Sequence, residues 1–111
     1  MAVTLMLDVE LILHAAGITS NYKGYWLLDS AVEMVLADPD IMDNMVDSLY
    51  SALGKKFGIS PVSVERNIHT AITRAWQVAP QRVSKALGRS AVWRPTVSEF
   101  ISLVAKQINN S

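Results

Sequence analysis

Four polar side chains fall within a seven-residue segment: Ser63, Glu65, Arg66 and His69. An arginine guanidinium donates two parallel hydrogen bonds, a carboxylate accepts them, and an imidazole can do either. Residues three and four apart share one face of a helix, so Arg66 and His69 would lie side by side. These residue types at this spacing predict a surface that matches a pattern of hydrogen-bond donors and acceptors.

The same composition argues against catalysis. The chain has no cysteine and only two histidines, which excludes disulfides, thiolate zinc sites and cysteine nucleophiles. The carboxylates are spread along the chain, and no phosphate-binding glycine loop or Ser-His-Asp order is present. We therefore expect no catalytic residue, no metal site, no cofactor, no small-molecule substrate and no enzymatic activity.

Charge is divided unequally along the chain, although it sums to zero. Residues 1–50 hold eight acidic side chains and one lysine, a net charge of −7, whereas residues 51–111 hold nine basic and two acidic side chains, a net charge of +7. Such a division suggests that the second half faces a polyanion. The alternative is that the two halves attract each other within the fold.

Proline, glycine and capping residues divide the chain into helix-length segments. Apolar residues recur three and four apart within them, and no segment alternates as a strand would, except for a short extended stretch near Ser90–Trp93. The predicted helices cover residues 4–16, 25–37, 41–57, 61–78 and 80–87, with a sixth that follows a Thr96–Glu99 capping box. The sequence thus predicts a compact all-α domain of six helices over residues 1–111.

Residues 50–69 have the layout of a helix-turn-helix. Gly58 supplies the turn, Ser60 and Pro61 give a specific helix start, and Gly54 is small where the two helices would cross. We expect Phe57 and Ile59 to be buried. In this motif the second helix, here about residues 61–78, enters the major groove of double-stranded DNA and its N-terminal turns read the bases.

This arrangement assigns two kinds of contact. Arg66 would pair with guanine, Glu65 would accept from cytosine, and Ser63 and His69 would reach neighbouring base edges. Phosphate contacts are expected from the residues around the helix ends, which are Lys55, Lys56, Ser60, Arg74 and Arg94.

Several short segments resemble, in order, the C-terminal effector domain of the sporulation initiation response regulator, stage-zero sporulation protein A. They are Lys23-Gly24-Tyr25, Leu49-Tyr50, Lys55-Lys56-Phe57, Val64-Glu65-Arg66, Ala71-Ile72, Ala75-Trp76, Pro95-Thr96 and Ser98-Glu99-Phe100-Ile101. The resemblance implies a six-helix transcription factor that binds repeated DNA sites as a head-to-tail pair. Ser63 and His69 stand where this family has arginine.

Other expectations concern partners and location. Nothing in residues 1–15 resembles a receiver domain, and the N-terminus lacks a signal peptide, so we expect a cytoplasmic effector domain. The acidic first half is a candidate surface for RNA polymerase, with a solvated face as the alternative. Because Ser63 and His69 replace arginine, a second hypothesis is a protein-interaction module that kept the fold and lost tight DNA binding.

Overall fold

Six α-helices form the framework of the computed structural model, which describes residues 2–89 and 93–109. We number them α1 to α6 in chain order. Their bounds are α1 Ala2–Ala15, α2 Lys23–Ala37, α3 Ser51–Phe57, α4 Pro61–Val78, α5 Pro80–Ala86 and α6 Val97–Asn109. The described residues contain no strand. The predicted all-α, six-helix fold is confirmed, whereas the extended stretch predicted near Ser90–Trp93 lies mostly outside the described residues.

The predicted third helix is wrong in its first half. A 3-10 helix at Pro39–Asn44 and a π-helix at Met45–Tyr50 precede α3. Asn44 has a non-helical backbone with φ −141° and ψ 81°, and its side chain accepts a hydrogen bond from the Asp47 N–H at 3.2 Å, which restarts the helix there. Asp38 caps the 3-10 helix, because its side chain accepts a hydrogen bond from the Asp40 N–H at 3.2 Å.

Helix α2 lies at the centre of the fold and packs against α1, α4 and α6. Its buried apolar side chains include Leu28 and Val32, which are four residues apart and share one face of the helix. Gly24, at its N-terminal end, crosses α4 so closely that a Cβ there would lie 2.5 Å from the Asn67 carbonyl oxygen. The absence of a side chain at Gly24 therefore sets how near the central helix comes to α4.

Helix α6 closes the core from the other side. Phe100, Ile101 and Val104 are fully buried. The predicted capping box is present: the Glu99 carboxylate accepts from the Thr96 N–H at 3.0 Å, and the Thr96 hydroxyl accepts from the Glu99 N–H at 3.1 Å. No helix among the described residues is long and apolar enough to cross a membrane.

Candidate nucleic-acid interface

The turn between α3 and α4 is built from two glycines. Gly58 adopts a left-handed conformation with φ 71°, which glycine reaches without steric cost. The Ile59 N–H then donates to the Gly54 carbonyl at 3.0 Å, and a Cβ on Gly54 would lie 2.5 Å from the Ile59 carbonyl oxygen. Gly54 is buried, so the predicted need for a small residue at this crossing is confirmed.

Ser60 begins α4 as predicted. Its hydroxyl accepts from the Ser63 N–H and donates to the Ser63 hydroxyl, both at 3.1 Å. The Ser63 carbonyl in turn accepts from the Asn67 side chain at 2.9 Å. Ser60 and Ser63 thus already bond to each other in the first turn of α4. Ser63 is half-buried and lies beside the outward face of the helix.

The outward face of α4 carries a continuous row of side chains. Val62, Glu65, Arg66 and His69 are exposed and line one shallow groove of ≈ 310 Å³. Their spacing of three, four and seven residues places them on one face of the helix. The side chains of Arg66 and His69 make no hydrogen bond or ion pair with other described residues, so both are available to a partner.

The Glu65 side of this row borders a second groove, of ≈ 290 Å³, between α4 and the start of α6. Glu65 lies near Tyr50: burial first, and then the Glu65 charge, raise the pKa of that phenol, which keeps it neutral. Arg94 lies across the groove and donates from Nη1 to the Thr73 hydroxyl at 3.2 Å. The loop before α6 therefore holds a cation beside α4, in the region where Arg94 was expected.

The opposite flank of α4 holds a cation that the sequence reasoning missed. A cleft of ≈ 670 Å³ lies between α4 and the start of α2, and Lys23 and Arg74 both line it. Arg74 was predicted to contact the phosphate backbone. No such contact was predicted for Lys23, which is the one basic residue among residues 1–50. Only the Gly24 crossing brings it beside α4.

The two adjacent lysines of α3 have different surroundings. The Lys55 side chain is exposed and makes no hydrogen bond or ion pair with a described residue. The Lys56 ammonium instead donates to the Ser30 hydroxyl of α2 at 2.9 Å and lies 5.6 Å from the Phe57 ring centre. For Lys56 to reach a phosphate, its side chain would have to leave Ser30.

Two apolar side chains of the turn are more exposed than predicted. Phe57 is 38 % and Ile59 is 37 % exposed, so the expectation that both are buried is wrong. Leu53, one turn before Phe57 in α3, is fully buried instead. Together with Val62, these residues make the turn partly apolar.

Among the described residues, no direct ion pair joins the acidic half of the chain to the basic half. Among the described residues the single ion pair, Arg89 with Glu99 at 3.8 Å, lies within the basic half. The Lys56 charge does attract Asp29 of α2 across the two halves, and it acts to lower the pKa of that carboxyl. No group of His, Asp or Glu side chains in the described part of the chain could hold a metal ion.

Comparison with known families assigns the chain to one of them. Residues 9–108 match the family model described as sporulation initiation factor Spo0A C terminal. The match includes all of α2 to α5 and nearly all of α6, and with them the helix-turn-helix and both flanking grooves. The chain therefore belongs to the family of the Spo0A C-terminal domain, the DNA-binding effector domain of a sporulation regulator.

Proposed function

We propose that this chain is a sequence-specific transcriptional regulator that places α4 in the major groove of double-stranded DNA. The observation that carries the proposal is the exposed row of side chains on α4, in which the side chains of Arg66 and His69 make no hydrogen bond or ion pair within the described structure. Such a row on the second helix of a helix-turn-helix is the arrangement that reads base edges. The family membership supports the same docking.

Within the groove, Arg66 is assigned to a guanine, through bidentate donation to O6 and N7, and Glu65 to a cytosine amino group. His69, one turn further on, reaches an adjacent base edge. Ser63 contributes less directly, since its hydroxyl is bonded to Ser60. These four residues are the proposed base-reading set.

Phosphate contacts are proposed on both sides of α4. Lys55 and Ser60 approach the backbone at the start of the helix, and Arg94 approaches it from the loop before α6. On the other flank Arg74 acts together with Lys23, which we add to the set. These cations around α4 would fix the register of the helix in the groove without reading sequence.

The assembly on DNA is also a proposal. We infer that two copies bind repeated sites head to tail, as the family resemblance implies, and that the acidic surface of residues 1–50 remains free for RNA polymerase. A head-to-tail contact is heterologous, so each copy would present a different face to its neighbour. Titration of one-site and two-site duplexes tests the pairing through its cooperativity.

The decisive measurement is a fluorescence-anisotropy titration of a duplex carrying the 0A box, the family's DNA site, against a scrambled duplex. Arg66→Ala should weaken specific binding by about 1–3 kcal/mol, roughly fivefold to 150-fold, because a bidentate guanine contact is lost. The matched control is Lys106→Ala, which removes an exposed cation of α6 outside the α4 row. This control should leave binding nearly unchanged.

Two results would contradict the proposal. One is specific binding that is the same for the wild type and Arg66→Ala. The other is a folded protein that binds neither duplex, which would favour the protein-interaction module suggested by Ser63 and His69. In that case Ser63→Arg combined with His69→Arg asks whether the remaining surface still fits DNA.

A further inference from the structure

We propose that Val62 reads the 5-methyl group of a thymine in the DNA site of this chain. The inference rests on the proposed function and deepens it, because it assigns a base to an apolar side chain that cannot form hydrogen bonds with base edges. Val62 is the second residue of α4 and is 64 % exposed.

Folding does not explain a valine at this position. The side chain lies outside the core, so it contributes little burial to the free energy of unfolding. Valine also has a lower helix propensity than alanine, glutamate or lysine, because its β-branched side chain loses rotamer freedom in a helix. The position is therefore better explained by what the exposed methyl groups contact.

The surroundings of Val62 select one kind of contact. Val62 lines the same groove as Glu65, Arg66 and His69, on the N-terminal part of α4 that reads bases. The thymine 5-methyl is the apolar group that base edges present in the major groove, and apolar side chains recognise it by contact. An apolar side chain in line with three polar readers thus fits a thymine beside their hydrogen-bonding bases.

The geometry also indicates where this thymine should lie. Four residues separate Val62 from Arg66, a rise of about 6 Å along the helix. Successive base pairs are about 3.4 Å apart. We therefore expect the thymine within about two base pairs of the guanine that Arg66 contacts.

The test begins with selection of bound duplexes from a random library by the wild-type protein. Each thymine near the Arg66-dependent guanine is then replaced, one at a time, by deoxyuridine, which removes the methyl group and keeps every hydrogen-bonding atom. At one position the wild-type affinity should fall about threefold to tenfold, as expected for loss of a buried methyl contact.

The variant Val62→Ser should bind the thymine and deoxyuridine duplexes equally. The matched control is Val78→Ser, at the far end of the same helix, where the valine is 78 % exposed and about 24 Å away. This control should keep the wild-type preference for thymine. Circular dichroism of both variants checks that they are folded.

Three results overturn the inference. The selected site has no thymine at the expected distance, or deoxyuridine has no effect on the wild type, or the effect persists unchanged in Val62→Ser. In each of these cases DNA binding itself stands, and only the role of Val62 fails. If the folded wild type selects no sequence at all, the inference and the proposed function fail together.

Discussion

Asp29 shows how a single buried charge affects this molecule. The residue is only 5 % exposed, and its Oδ1 atom has no hydrogen-bond partner within the described structure. Burial, and then the charges of Glu33 and Glu10, raise its pKa from 3.8 to about 6, although Lys56 acts in the opposite direction. Asp29 and Ser30 together lie where α2 meets Lys56 of the helix-turn-helix.

This shift predicts a pH dependence of stability. The folded chain binds the Asp29 proton more tightly than the unfolded chain, so the stabilisation from this group is complete below about pH 3.8 and is lost as the pH rises through about 6. Asp29→Asn should remove that loss. The free energy of unfolding of the variant minus that of the wild type should therefore rise by about 1–3 kcal/mol between pH 4 and pH 7.

Urea denaturation across this pH range measures the effect. Asp43→Asn, at an exposed carboxylate of the 3-10 helix, is the matched control. A wild-type and an Asp29→Asn protein whose stabilities run parallel from pH 4 to pH 7 would contradict the prediction.

At the scale of elements, the crossing of α3 over the following turn depends on Gly54. Replacing glycine by alanine inside an exposed helix normally stabilises it by about 1 kcal/mol. Here the added Cβ would lie 2.5 Å from the Ile59 carbonyl oxygen, a backbone atom that cannot move without shifting the start of α4. The steric cost should therefore outweigh the gain in helix propensity.

We expect Gly54→Ala to lower the free energy of unfolding by about 1–3 kcal/mol. It should also weaken DNA binding at temperatures where the variant is fully folded, because α4 would be displaced relative to α3. Lys55→Ala, at the next position on the exposed face, is the control for stability. A Gly54→Ala protein that is more stable than the wild type would show that the turn can adapt.

At the scale of the whole molecule, the fold arranges cations on both flanks of α4. Lys23 comes from the start of α2, Lys55 from α3, Arg74 from α4 itself and Arg94 from the loop before α6. If these four each neutralise one phosphate, the logarithm of the binding constant should fall with the logarithm of salt concentration with a slope of about −3 to −4.

Single substitutions can measure the contribution of each cation to DNA binding separately. Lys23→Ala and Lys55→Ala should each flatten the salt slope by about one unit while weakening all DNA sequences alike. Lys56→Ala should flatten it less, because the Lys56 ammonium is bonded to Ser30. A Lys56 effect as large as that of Lys55 would mean that this side chain leaves Ser30 when DNA binds.

The sequence by itself determined the features that depend on local interactions. Capping residues, prolines and apolar spacing act within a few residues of one another, so the helix-turn-helix, the Ser60 and Thr96 caps and the inward face of α4 were predictable. The family resemblance was also recognisable from short segments of the sequence. The outward row on α4 follows from the same helical period.

Only the tertiary structure decided how distant residues meet. Lys23 is 51 positions from Arg74 in the sequence, and the Gly24 crossing is what places both in one cleft. Likewise the Lys56 ammonium donates to the Ser30 hydroxyl, and the Asn44 side chain caps a new helical turn inside the expected third helix. Both features depend on one specific hydrogen bond rather than on a periodic pattern. Long-range packing and individual hydrogen bonds carry no signature in local sequence, and that is why these features required the fold.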